Sequence, residues 1–306
     1  MEKRPLYAVD SSFAFFASFL LSQLAVLLFT CLASCVYIFC KIELDGLDVF
    51  LSTSYGYLLT ALVFDAVLFG VFLFYKKRTN LAVIKKPSAN KIILYIWVAV
   101  LAFVLVSPLI NCLDSLFQFW NLKINTITYD ITAVWHGIPV NLFVTMISMV
   151  IVPAIVEELL FRGVIFKGLQ NYGKAFSIIM SAVMFSVFHM AISQTVYPLI
   201  MGLLLGVIMY KEDNILYTIT VHMTNNFLSV IFAYFGISLS YNHWTFIVLA
   251  ILLACAFVVT LLIIAFKNNK QSKYVTFTKN EKLAFYSVLG VMVVINIATN
   301  LVSNLT

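Results

Sequence analysis

The stretch PVNLFVTMISMVIVPAIVEELLFRGVIFKG, residues 139–168, decides how the chain is read. It is apolar for long enough to cross a hydrocarbon core of ~30 Å. In lipid a backbone can satisfy its polar groups only within its own element, so such a run is a helix. Yet its second half carries Glu157, Glu158 and Arg162. Ionisable groups inside a bilayer cost several kcal/mol each, so each one requires an account.

Working outward, apolar segments recur at about 13–40, 51–75, 92–113, 139–168, 175–192, 195–210, 214–235, 244–266 and 283–304. Of the 306 residues 63% are hydrophobic and 10% charged, and the mean hydropathy is +1.03. So few charges cannot cover a soluble domain of this size. The expected fold is all-α: a polytopic integral membrane protein with about nine transmembrane helices. The run at 13–40 follows Lys3 and Arg4 and is about twice a signal-peptide core of ~7–15 residues. Leu32-Ala33-Ser34-Cys35 has the look of a lipoprotein cleavage box, but the apolar run continues past it, so an uncleaved first helix is expected. The five cysteines, Cys31, Cys35, Cys40, Cys112 and Cys255, lie in or beside apolar runs without metal-ligand spacing. They read as buried small apolar residues.

The net charge of +6 does not point to nucleic acid, because the basic residues sit in short segments between apolar runs. With the N-terminus inside, sixteen of the nineteen Lys and Arg fall on the inner side, including the clusters at 76–91 and 267–282. That asymmetry fixes an orientation with the N-terminus cytoplasmic and the C-terminus outside. Segment 114–138, with Trp120, Tyr129 and Trp135, is too polar to span and reads as a surface-lying segment. Three regions follow: N-terminal helices with this interfacial segment at 1–138, a core of four consecutive helices at 139–235, and C-terminal helices at 236–306.

The groups to account for inside the apolar segments are Asp65 in the second, Glu157, Glu158 and Arg162 in the fourth, His189 in the fifth, and His222 with Asn226 in the seventh. At ~1.5 Å per residue from the inner ends, Glu157 lies ~17 Å deep, His189 ~21 Å and His222 ~12 Å. Scattered structural polar residues would not converge in depth on three helices. Arg162 follows Glu158 by four residues, so the two share a helix face and can pair. Glu157 is rotated ~100° away and is left as a general base. His222 and Asn226, also four apart, can present N–H donors to one oxygen as an oxyanion hole does. His189, one turn after Phe185, can hold a water against Glu157. Pro153, one turn before Glu157, removes a helix hydrogen bond at the carbonyl of Met149. Gly202 and Gly206 form a small-xxx-small packing face. Asp65, alone on its helix, reads as structural or water-facing, and His136 and His243 as solvated loop residues.

Pro153-Ala-Ile-Val-Glu157-Glu158-Leu-Leu-Phe-Arg162-Gly163 resembles the EExxxR motif of the CAAX protease and bacteriocin-processing (Abi) family of intramembrane endopeptidases. Phe185-Ser-Val-Phe-His189 is similar to its FxxxH motif, and His222-Met-Thr-Asn-Asn226 to its HxxxN motif. One such motif is weak; three in order on three membrane helices, within about 145–230, are specific. The resemblance implies hydrolysis of a peptide bond in a peptide or protein substrate, of the CAAX type or the bacteriocin and leader-peptide type. Glu157 and His189 would activate water, His222 and Asn226 would stabilise the oxyanion, and Glu158 with Arg162 would support the site. It implies membrane lipid as surroundings, no nucleic-acid partner and, from the family's distribution, a bacterial cytoplasmic membrane. The cofactor stays open between none and one zinc ion: there is no HExxH, while Glu157, His189 and His222 offer three candidate ligands. Two readings from other classes stand beside it, a proton-coupled transporter and a non-catalytic immunity or binding protein. Against the transporter, the chain has no paired half-structures.

Overall fold

The computed structural model describes residues 4–43, 45–79, 84–119, 139–190, 195–237, 244–266 and 275–305. These are helical almost throughout, with no strand among them. The helices are α1 (Ala8–Phe39), α2 (Asp45–Ser52), α3 (Ser54–Arg78), α4 (Ala89–Phe119), α5 (139–170), α6 (Lys174–Phe188), α7 (Val196–Glu212), α8 (Ile215–Tyr234), α9 (Trp244–Phe266) and α10 (Lys279–Leu305). The all-α polytopic membrane fold is therefore as expected.

Every one of the nine apolar segments is a helix, but length separates them. Among the described residues six helices are long and apolar enough to cross a membrane, α1, Tyr55–Arg78, Ala89–Pro108, Leu142–Gln170, α8 and Lys279–Ala298, while in α9 only the shorter stretch Ile251–Phe266 counts as an apolar helix. At 15 and 17 residues, α6 and α7 fall short of the ~20 residues a span needs. Both are instead buried among other helices. The two pack closely against each other: a Cβ on Gly202 would stand 2.8 Å from the Ala182 Cα, and one on Gly206 3.3 Å from the Ile178 Cα. The two glycines thus let α7 lie against the backbone of α6, as small-xxx-small faces do.

The basic segments meet at one end of the bundle. Asp10 accepts from the Tyr7 amide at 3.0 Å, closing the first turn of α1, and Arg4 forks onto the same carboxylate at 2.8 and 2.5 Å. Arg4 also bridges to Thr79, at the end of α3. Asp213, in the left-handed conformation that ends α7, takes Lys85 at 2.6 Å and also Lys167. Asn214 caps α8 through the Leu216 amide and donates to the Lys85 carbonyl at 3.1 Å. Asn171, just past α5, donates to the Leu6 carbonyl at 2.8 Å and accepts from the Val275 amide at 3.1 Å. The described ends joined by these bonds therefore share a side.

Three expectations need correction or bounding. Cys31, Cys35, Cys40 and Cys255 are exposed, not buried. In a membrane protein the outer surface is itself apolar, so an apolar neighbourhood does not distinguish a core position from a lipid-facing one. The surface-lying segment falls at 120–138, outside the described residues, whereas residues 114–119 continue α4. The polar loop at 267–282 is shorter than expected, because α10 already begins at Lys279; Thr278 and Glu281 bond each other's backbone and side chains across that start.

Candidate active site

The site is built on α5, which is not one uniform α-helix. Wider π-helical turns at Met146–Ile151 and Leu159–Ile165 flank the α-helical Val152–Glu158. Single π-turns inside α-helices recur at functional sites. Pro153 lies between them. It has no N–H to give the Met149 carbonyl one turn back, and the side-chain amide of Asn226, from α8, donates to that carbonyl at 3.2 Å. The break in α5 thus becomes the point where α8 is fastened to it.

Below this point the charged residues come together. Arg162 Nη1 donates to Glu158 Oε1 at 2.7 Å, and both side chains are 0% exposed. The pairing expected from the four-residue spacing is present. Arg162 Nη2 reaches the Gly202 carbonyl at 3.4 Å, which the absence of a side chain at Gly202 makes accessible. The guanidinium also lies over the Phe185 ring, 4.6 Å from its centroid, a favourable cation–π placement. From α8, His222 Nδ1 stands 3.0 Å from the same Glu158 Oε1. A carboxylate accepts, so Nδ1 carries the proton. Glu158 is therefore bound on two sides and ties α8 to α5, while Arg162 reaches α7 through the Gly202 carbonyl.

Glu157 points elsewhere. Its Oε2 is 3.9 Å from His222 Nε2, too long for a hydrogen bond. Glu157 Oε2, Glu158 Oε2 and Arg162 Nε are buried and make no hydrogen bond among the described residues. Buried polar atoms nearly always have partners, so orphans grouped at one place mark where water or a ligand supplies them.

His189 ends α6 and is half-buried. Its Nδ1 meets the Phe185 carbonyl at 2.8 Å. A carbonyl only accepts, so Nδ1 bears the hydrogen and Nε2 keeps its lone pair. There is no hydrogen bond between His189 and Glu157 among the described residues; the two histidines are instead joined through Phe185, whose ring meets His189 at 4.9 Å and His222 at 5.7 Å. Sequence reasoning used Phe185 as a motif letter and missed that it touches Arg162 and both histidines. It missed a neighbouring polar pair as well: the Tyr197 hydroxyl of α7 donates to Asn225 of α8. A second asparagine beside a motif asparagine was the available signal. His136 and His243 lie outside the described residues.

Among the described residues no three His, Cys, Asp or Glu side chains are grouped as metal ligands. His189 has its Nδ1 on a carbonyl, which leaves Nε2 as the nitrogen that could bind a metal or a water, and Glu157 Oε2 stands 3.9 Å from His222 Nε2.

Taken together these features define a polytopic helical membrane protein with a paired-glutamate, arginine and two-histidine site buried among its helices. Residues 139–228 match the family model described as Rce1-like, type II CAAX prenyl endopeptidase. This is the CAAX family that the three motifs resemble, and the matched stretch contains all six candidate residues. The match supports a CAAX-type intramembrane endopeptidase in general terms. No curated protein and no solved structure matches the chain.

Proposed function

We propose that the chain hydrolyses a peptide bond of a membrane-associated peptide or protein, using a water activated by Glu157. The observation that carries this reading is the buried, donor-free Glu157 Oε2 at 3.9 Å from His222 Nε2. That gap is too wide for a direct bond and narrow enough for one oxygen atom to bond to both sides. Glu157 takes a proton from the water while the water oxygen forms a bond to the scissile carbonyl carbon. His189 Nε2, with its free lone pair, accepts the second hydrogen of that water and aims it.

The carbonyl oxygen becomes an oxyanion. His222, held through Nδ1 by Glu158, presents Nε2–H to it when the ring carries both protons, and the second amide hydrogen of Asn226 adds to this. Arg162 keeps Glu158 ionised and in place. The C–N bond then breaks, and the proton on Glu157 passes to the leaving amine. No metal enters any step. The catalytic core is 139–235, and the flanking regions 1–138 and 236–306 contribute substrate preference and anchoring. The substrate class is a C-terminal CAAX-type segment or a bacteriocin or leader peptide, processed at a bacterial cytoplasmic membrane with the N-terminus inside.

Comparative peptidomics of cells producing the wild type or Glu157→Gln tests this. Uncleaved substrate should accumulate in the variant and its fragments should vanish. Identical peptide pools would remove the peptidase reading.

A further inference from the structure

His189 stands where α6 ends, and helix ends fray unless their last carbonyls are bonded. α6 stops at Phe188, so the carbonyls of its last turn have no partner further along the helix. Three of them are accounted for. The Phe185 carbonyl takes His189 Nδ1 at 2.8 Å, and the Ser186 carbonyl takes the His189 amide at 3.2 Å. The Val187 carbonyl takes the Met190 amide at 3.2 Å and, at 3.3 Å, the side-chain amide of Asn296 from α10. Met190 then turns the chain in the left-handed conformation, with a φ of 58°.

Asn296 differs from its neighbours. It is 6% exposed, on a face of α10 that also buries Phe285 and Met292, with Leu289 packed against the same core. Positions 285, 289, 292 and 296 share one side of a helix. An apolar side chain would simply extend this face. A buried asparagine in a membrane helix is instead a device for bonding a neighbouring helix.

Two contacts fix how α10 lies on α6. The rings of Phe176 and Phe285 meet near the start of both helices, with centroids 5.7 Å apart. Val187 meets Asn296 near the end of α6. The intervals 176–187 and 285–296 are equal, so the two helices run parallel and in register. The packing of the whole pair therefore delivers Asn296 to the turn that carries His189.

We propose that Asn296 is a positioning residue for His189: its bond to the Val187 carbonyl holds the last turn of α6 and so sets where His189 Nε2 points. The C-terminal region then takes part in the site, although it lies outside the matched residues 139–228. Without this donor the Val187 carbonyl keeps the Met190 amide, a bond across only three residues, and such tight turns have poorer hydrogen-bond geometry. The turn then moves, the Phe185 carbonyl moves with it, and the imidazole no longer has a fixed acceptor for Nδ1–H. Its hydrogen is then free to sit on either nitrogen. This rests on the reading of His189 as the group that aims the water, but the test does not use hydrolysis.

The test is nitrogen NMR of the full chain in lipid vesicles at mildly alkaline pH, with isotope only in its four histidines. The two ring nitrogens report which of them bears the hydrogen, and His189→Gln identifies the His189 signals by their loss. In the wild type His189 should show one form, with the hydrogen on Nδ1. Asn296→Leu strands no group, because the Val187 carbonyl keeps Met190, and it should fold. Its His189 signals should split or shift toward the Nε2–H form while those of His222 stay in place. Met292→Ala, one turn earlier on the same face, removes packing but no donor. It should lower the unfolding temperature and leave the His189 signals unchanged. His189 signals that do not move in Asn296→Leu, or that move as far in Met292→Ala, make Asn296 a packing residue and overturn the proposal. A wild type with the hydrogen on Nε2 overturns it too, as does failure of both Asn296→Leu and Asn296→Ala to fold. A chain that proves to cleave nothing would still give the expected pattern, so the failure of one reading is distinguishable from the failure of the other.

Discussion

Replacing Glu158 and Glu157 in turn by glutamine separates support from chemistry within two adjacent residues. Glu158 and Arg162 form a 2.7 Å pair with both side chains fully buried. Removing one member of such a pair strands the other charge and costs ~3–5 kcal/mol. Glu158→Gln also weakens the bond to His222 Nδ1, now 3.0 Å, so its cost belongs in the upper part of that range. Against a total stability of ~5–15 kcal/mol this is a large fraction, and the yield of folded protein should drop with activity. Glu157 makes neither bond. Its nearest charged neighbour is 3.9 Å away, so Glu157→Gln should leave the unfolding temperature nearly unchanged while turnover falls ~10²–10⁴-fold, the range for a lost general base. The assay is thermal unfolding in detergent for both variants beside cleavage of a substrate identified by peptidomics. A double variant, Glu158→Met with Arg162→Met, should be less destabilised than the sum of its single changes, because no charge is then stranded. Suppose instead that Glu158→Gln is well folded and inactive while Glu157→Gln turns over normally. The roles are then reversed, and pairing across one helical turn does not decide which glutamate is the base.

Three further outcomes are expected. Gly202→Val should destabilise by about 1–3 kcal/mol, the usual cost of overpacking, because its first added carbon meets the Ala182 backbone at 2.8 Å; Gly206→Ala, at 3.3 Å from Ile178, should cost less in the same thermal measurement. Chelators should leave cleavage unchanged and purified protein should carry well under one equivalent of zinc; stoichiometric metal lost and regained with activity would contradict the metal-free reaction. Single cysteines placed at 76–91 or 267–282, after replacement of the five native ones, should resist a membrane-impermeant reagent in intact cells, and labelling from outside would invert the orientation.

Much of this arrangement was legible because membrane helices obey two strong local rules. Hydropathy located α8 at 214–235 against the observed Ile215–Tyr234. The helical period located the Glu158–Arg162 pair, since residues four apart meet whatever the rest of the fold does. What could not be read depends on neighbours. Hydropathy does not say whether lipid or protein covers an apolar face, so α6 and α7 counted as spans and the cysteines as core. The π-turns at Met146–Ile151 and Leu159–Ile165 depend on which other helix satisfies the freed carbonyls, and no local pattern encodes that. His189 shared a depth with Glu157, but depth does not fix direction, and its ring is bound at Nδ1 to its own helix.

The HxxxN spacing on α8 gains a second physical reason from this geometry. Four residues put His222 and Asn226 on one face, and that face meets α5 at two points: Glu158 receives His222, and the Met149 carbonyl receives Asn226. Pro153 prepares the second point by failing to donate to that carbonyl, and the buried ion pair prepares the first. Sliding α8 by one turn would break both bonds. The two bonds therefore fix where His222 Nε2 stands relative to Glu157. A reaction whose donor and base sit on different helices needs that relation held to well under an ångström. Bonds that look merely structural thus set the distance on which the proposed chemistry depends.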